Sequence, residues 1–160
     1  MVRKATLQDF DFIYRLYMHP LVNPFLLYEM MDAESFKTIF DELIAKSIKY
    51  VFEDGGNAVG MFKLIPLAHR NSHIAYLGGL AIDPAFAGKG YGSVMLNEIL
   101  AYAKQQGFLR VELSVANINE KAIKLYEKSG FVKEGTFRKF THLKSENRFL
   151  DEVMMAWLDV

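Results

Sequence analysis

Apolar and polar positions recur along the chain with two periods, and the changes of period mark out its elements. Val2 to Ala5 is a short opening strand. Thr6, followed three residues later by Asp9, makes a capping-box-like start with Asp in place of the usual Glu. The helix after it sets Leu7, Phe10, Tyr14 and Tyr17 on one stripe, with Ile13 alongside. Pro20 and Pro24 break it, and His19 to Met31 has no clean period, so it reads as a loop or irregular short helix able to line a substrate pocket. Asp32 then caps a second helix with an apolar stripe of Phe36, Ile39, Phe40, Leu43 and Ile44.

Strands dominate the middle of the chain. Lys49 to Glu53 and Ala58 to Ile65 pair antiparallel across Asp54-Gly55-Gly56-Asn57, a short hairpin connection. After Pro66 and a loop at His69 to Ser72 comes a strand from His73 to Ile82, in which Gly78 and Gly79 mark a bulge. A helix after Ser93 carries Met95, Ile99 and Tyr102, with Leu96, Leu100 and Ala103 beside them, and ends near Gly107. Leu109 to Val115 alternates, Val111, Leu113 and Val115 on one face and Arg110, Glu112 and Ser114 on the other. A connection with Asn117 and Asn119 leads to a short helix with Ala122, Ile123, Leu125 and Tyr126, stopped by Gly130. Glu134 to Phe140 and Arg148 to Leu158 are final strands around the turn Lys144 to Asn147. No linker or shift in composition divides residues 1–160, which read as one mixed α/β (α+β) domain with about seven strands and about four helices.

Composition narrows the possible chemistry. Over 160 residues, 51% apolar and 24% charged, the chain is of a size and balance that buries a core. Lys plus Arg equals Asp plus Glu at 19 each, so no overall field points to nucleic acid. The chain has no cysteine, which excludes disulfides, thiolate nucleophiles and cysteine-held metals. His19, His69, His73 and His142 show no metal-ligand spacing. No charged-then-apolar leader follows Met1 and no apolar run approaches about 18 residues, so the expectation is a soluble cytoplasmic protein without membrane or metal.

Chemistry concentrates in Leu80 to Ser93, where Gly88, Gly90 and Gly92 lie between a strand and a helix. Such a turn exposes backbone N–H groups at a helix N-terminus, where donors and dipole favour phosphate. Lys89 is followed by Gly90 and not by Ser or Thr, which excludes the nucleotide-triphosphate loop. The spacing of the glycines excludes the dinucleotide fingerprint as well. From the residues alone, the stretch is either a phosphate site or an ordinary glycine-rich connection.

Leu80-Ala81-Ile82-Asp83-Pro84 running into Gly88-Lys89-Gly90-Tyr91-Gly92, and then Asn119-Glu120-Lys121-Ala122-Ile123-Lys124-Leu125-Tyr126-Glu127-Lys128-Ser129-Gly130-Phe131, resemble the GNAT superfamily of acyl-CoA-dependent N-acetyltransferases. Glu134-Gly135 with Asp151 to Met155 is similar to its small-amine and protein-N-terminus branches. The resemblance implies a mainly antiparallel sheet splayed between the fourth and fifth strands. The pantetheine arm of acetyl-CoA would lie along the backbone of Leu80, Ala81 and Ile82, which also offers an N–H to the oxyanion. The pyrophosphate would rest on Ala87, Gly88, Lys89, Gly90, Tyr91, Gly92 and Ser93. The family usually has Arg or Gln where this chain has Ala87, so one charge-assisted bond of about 1.5–3 kcal/mol is missing, and Lys89 is the side chain at hand to replace it.

By its period Tyr126 is an aromatic on a buried helix face; by resemblance it is the general acid, protonated at neutral pH and aimed at the departing thiolate. Asn119 is an N-cap before Glu120 and, by resemblance, a contact to the cofactor arm. The strand from Ala75 to Ile82 has no carboxylate, so the general base is open among Glu29, His73, Glu112 and a water held by backbone carbonyls. The implied function is acetyl transfer to a small primary amine such as an amino acid, polyamine or antibiotic. The alternatives are a protein N-terminal acetyltransferase and a non-catalytic acyl-CoA sensor. The last strand, ending Met154-Met155-Ala156-Trp157-Leu158, is able to complete the domain or to pair across a homodimer.

Overall fold

The order of elements matches the periodicity. In the computed structural model, which describes residues 1–160, they run β1 (Val2–Lys4), α1 (Phe10–Tyr17), α2 (Ala33–Ala45), β2 (Lys49–Asp54), β3 (Asn57–Pro66), β4 (Ile74–Ile82), α3 (Tyr91–Gln105), β5 (Arg110–Ala116), α4 (Glu120–Lys128), β6 (Val132–Leu143) and β7 (Arg148–Leu158). The strands form one open seven-stranded sheet in the order β1-β2-β3-β4-β5-β7-β6. The pairs β1–β2, β2–β3, β5–β7 and β6–β7 are antiparallel, and β4–β5 is parallel. The chain divides into two compact units, Met1–Leu64 with Gly79–Met95 and Ile65–Gly78 with Leu96–Val160. The divisions fall inside β3, β4 and α3, not in linkers.

In the first unit, the Thr6 box opens a 3-10 turn at Leu7–Asp9 rather than the α-helix itself. Asp9 Oδ2 accepts the Thr6 N–H at 2.7 Å, and both Asp9 oxygens take the fork of Arg3 at 2.8 Å. The tighter 3-10 step rotates Leu7 off the stripe expected of it, leaving it 61% exposed. Leu16 joins Ile13 and Tyr17 inside instead, packed with Phe36, Phe40, Val51 and Met61. Asp32 caps α2 as expected, its Oδ1 accepting the Ser35 N–H at 2.8 Å. Gly55 and Gly56 turn the β2–β3 hairpin with φ of +58° and +80°, the conformation a tight two-residue turn demands.

Within β4 the irregularity expected at Gly78 and Gly79 is located at Gly79, whose φ is +55°. A β-carbon there would come within 2.9 Å of Tyr17 Oη. Two of the buried residues of this unit are lysines, Lys49 and Lys63.

In the second unit, β5 points Val111, Leu113 and Val115 inward, as its alternation predicts. Gly130 ends α4's turn at φ +100°, with Trp157 Cδ1 3.3 Å from where a β-carbon would sit. β6 is longer than the Glu134 to Phe140 expected, because its pairing with β7 resumes after a register shift between Phe137 and Thr141 and runs on to Leu143. It is one of the two edges of the sheet and is exposed along most of its length.

The Gly79→Ala variant combines a left-handed backbone with a clash, and a loss of about 1–3 kcal/mol is expected. Chemical denaturation of the variant and the wild-type chain measures it.

Candidate active site

The turn before α3 is built on Asp83. Its carboxylate, only 4% exposed, caps a 3-10 turn at Pro84–Phe86 by accepting the Ala85 N–H at 3.0 Å, and it takes Arg15 Nη2 at 2.9 Å. Burial works against the charge, but the Arg15 and Ala85 hydrogen bonds outweigh it and hold the carboxyl below its ordinary pKa. The Ala87 N–H is donated to Pro84 O at 3.1 Å. Gly88 and Gly90 follow with φ of +77° and +78°, and a β-carbon at either would meet nothing within 4 Å. Backbone conformation, not crowding, calls for glycine at these two positions, and the space above them is open.

The helix starts at Tyr91, so Tyr91, Gly92 and Ser93 form its first turn, earlier than the expected start after Ser93. Their N–H groups have no acceptor four residues back within the helix, while Val94 N–H reaches Gly90 O at 3.4 Å. The Tyr91 side chain anchors this turn to the hairpin: its hydroxyl donates to Asp54 at 2.5 Å, and its ring stands edge-on to Phe52 and Phe86. Lys89 Nζ lies 5.6 Å from the centroid of the Phe86 ring. Ala87 to Gly90 are all exposed and run directly into the first turn of α3.

Leu80, Ala81 and Ile82 lead into that turn, and Asp83 N–H closes onto Val59 O at 2.8 Å. The register of β4 with β5 covers Ile74 to Tyr76, and Leu80 to Ile82 lie beyond it. Sequence reasoning missed Gly60. A β-carbon there would lie 2.8 Å from Met95 Sδ and 2.9 Å from Ala81 O, so its absence lets β3 approach this segment. A glycine inside a strand pattern was the available signal.

The second unit holds Tyr126 and Asn119. Asn119 caps α4, its Oδ1 accepting the Ala122 N–H at 3.3 Å. Tyr126 is 8% exposed. Burial first, then the neighbouring Tyr76 and Glu152, push its hydroxyl well above the ordinary phenol pKa, so it keeps its proton. Beside it runs a polar chain in which Tyr76 Oη meets Ser114 Oγ at 3.1 Å and Ser114 donates to Glu152 Oε1 at 3.3 Å. Burial raises the Glu152 pKa, and the Ser114 bond partly opposes the rise. Period alone placed Ser114 on the face of Glu112; only the diagonal across β5 and β7 brings Glu152 to it.

Glu112 is bound to Arg110 Nε at 2.9 Å, and the same guanidinium forks onto Glu134 at 2.6 and 3.0 Å. Glu112, one of the candidate bases, is therefore paired with a guanidinium. Glu29 and His73 are exposed. No group of three or more His, Asp and Glu side chains is placed to hold a metal ion, and no helix is long and apolar enough to cross a membrane.

Residues 10–131 match the acetyltransferase (GNAT) family. The chain is 34% identical over 112 residues to spermidine N(1)-acetyltransferase of Vibrio cholerae, an alignment covering 64% of this chain and 62% of that protein. It is 31% identical over 93 residues to an uncharacterized N-acetyltransferase from the SPbeta prophage of Bacillus subtilis, covering 58% of this chain and 51% of that protein. The chain thus spans about half of the prophage protein and under two thirds of the spermidine enzyme. The crystal structure of the Vibrio cholerae spermidine N-acetyltransferase in complex with CoA and spermine superposes with a TM-score of 0.86 at 24% identity, over 99% of this chain and 94% of that one. At that identity the likeness is one of fold.

Removing the hydroxyl in Ser114→Ala deletes the bond that opposes the rise in the Glu152 pKa. The expected outcome is a further upward shift of the Glu152 titration, followed by carboxyl-carbon NMR against pH; an unmoved midpoint contradicts the polar chain.

Proposed function

The chain belongs to the acetyltransferase (GNAT) family, and from that premise we propose that residues 1–160 work as one acyl-CoA N-acyltransferase domain. It moves the acetyl group of acetyl-CoA to a primary amine of a small molecule, by direct attack in a ternary complex. The observation that carries this reading is the turn from Gly88 to Ser93. Two left-handed glycines and the first turn of α3 present backbone N–H groups to open space, which fits a pyrophosphate. Ala87 contributes no polar side chain, so the backbone donors and Lys89 hold the anion.

Leu80 to Ile82, outside the register with β5, supply main-chain groups that a pantetheine arm reads as a neighbouring strand would. Tyr126 holds the proton that the departing thiolate takes up. Its burial keeps that proton in place at neutral pH. The attacking nitrogen must arrive without its proton. The groups open to receive that proton are Glu29, His73, Glu112 and a backbone-held water.

Two outcomes test the assignment. Tyr126→Phe is expected to slow thiol release from acetyl-CoA by about 100-fold across an amine panel, and full activity in the variant removes the general-acid role. Tight CoA binding with no turnover on any amine identifies a sensor instead. In Gly90→Val the β-carbon meets nothing within 4 Å, the strain of the left-handed backbone is about 1–2 kcal/mol, and calorimetry is expected to show CoA affinity lowered by about tenfold or more. Unchanged affinity means that the turn is not the pyrophosphate site.

A further inference from the structure

Two lysines occupy positions in the first unit where a core ordinarily holds apolar side chains. Lys49 and Lys63 stand directly opposite each other in the β2–β3 ladder and are 1% and 7% exposed. Like charges on facing positions oppose pairing, and a buried ammonium is costly without an anion beside it. The groups around them are aromatic instead. Lys49 Nζ donates to Tyr17 Oη at 2.8 Å and lies 4.4 Å from the Tyr17 ring centroid, and Lys63 Nζ lies 5.2 Å from that of Tyr28. Burial and then the charge of Lys63 drive the Lys49 pKa well down, and burial lowers that of Lys63, with no carboxylate opposing either. The cluster also touches β4: a β-carbon at Gly79 would lie 2.9 Å from Tyr17 Oη, and 3.4 Å from both Lys49 Nζ and Lys63 Cε.

We propose that Lys49, Lys63 and Tyr17 form a carboxylate-binding site, and that the acceptor is an amine that also carries a carboxylate, an amino acid rather than a polyamine. This rests on the proposed acetyl transfer. Two ammonium groups and a phenol offer several donors, which suits the two oxygens of one carboxylate. The acetyl group is uncharged and the pyrophosphate of its carrier is assigned to Gly88 to Ser93, so an anion for the lysines beside Gly79 is sought on the acceptor. Gly79, against which the cluster packs, directly precedes the Leu80 to Ile82 segment assigned to the cofactor arm. A polyamine brings further positive charge to two buried lysines that already disfavour charge. An entering carboxylate supplies the missing counter-charge, and Lys49 takes up a proton as it binds.

The experiment has two arms. In the first, thiol release from acetyl-CoA is measured with matched acceptors: phenylalanine against phenethylamine, lysine against cadaverine, and spermidine. The wild-type chain is expected to favour the carboxylate-bearing member by about tenfold or more in kcat/KM, and Lys63→Met to bring that ratio near one. In the second, calorimetry on the CoA-saturated protein compares the N-acetyl derivatives of the common amino acids with N-acetylphenethylamine, in two buffers of different ionisation enthalpy. Tighter binding of at least one N-acetyl amino acid, with proton uptake, is the expected result. Lys49→Met serves as the second variant, and thermal unfolding of both checks their folding; loss of a buried ammonium is expected to raise the midpoint. Preference for spermidine or the decarboxylated amines, a ratio unmoved by the variants, or equal binding of the two product classes overturns the carboxylate site. Absence of turnover on every amine refutes the acetyl transfer, while the calorimetric arm still decides whether Lys49 and Lys63 bind a carboxylate.

Discussion

The close approach at Gly79 is the constraint on which the first unit depends. At φ +55° and with no side chain, this residue lets the backbone of β4 come against Tyr17 Oη. Tyr17 is fully buried, its ring 5.4 Å from that of Phe36, and its hydroxyl accepts the Lys49 ammonium. One contact therefore joins the inward face of α1, the stripe of α2, the start of β2 and the middle of β4. Any Cβ at residue 79 would push these elements apart, together with the Leu80 to Ile82 backbone that follows.

Glycine serves opposite ends elsewhere in the same unit. Gly60 has no need of a left-handed backbone but has no room for a β-carbon, with Ala81 O and Met95 Sδ already within 3 Å of its place. Gly88 and Gly90 have ample room and need the left-handed conformation. The first use lets β3 pack against Ala81 and Met95, and the second lets the chain turn into α3. Asp83 links the two, because its carboxylate holds both the turn and Arg15 of α1. Tyr91 fixes the other end of the turn to the hairpin.

The second unit handles protons by burial. Tyr126 lies among groups whose own charges would oppose its ionisation, so the phenol stays intact. Tyr76, Ser114 and Glu152 form a polar chain at the same place, drawn from three different strands. In the same unit Arg110 is shared between Glu112 and Glu134.

Period, capping and turn chemistry by themselves determined the order of every helix and strand, the caps at Asp32 and Asn119, the hairpin at Gly55 and Gly56 and the glycine turn, because each depends on residues within a few positions of one another. Together with the Asn119 to Phe131 block they also determined the family. Only the tertiary structure decided that Leu7 leaves the core for Leu16, that β6 continues beyond its register shift, that Gly60 is a packing requirement and that Glu152 stands by Tyr126. Nothing local to Lys49 or Lys63 marks them as core residues; their register and the contact with Tyr17 of α1 make them a buried pair. The physical reason is common to all of these: burial and cross-strand neighbours depend on which elements stack and in what register, and no window of the chain contains that information.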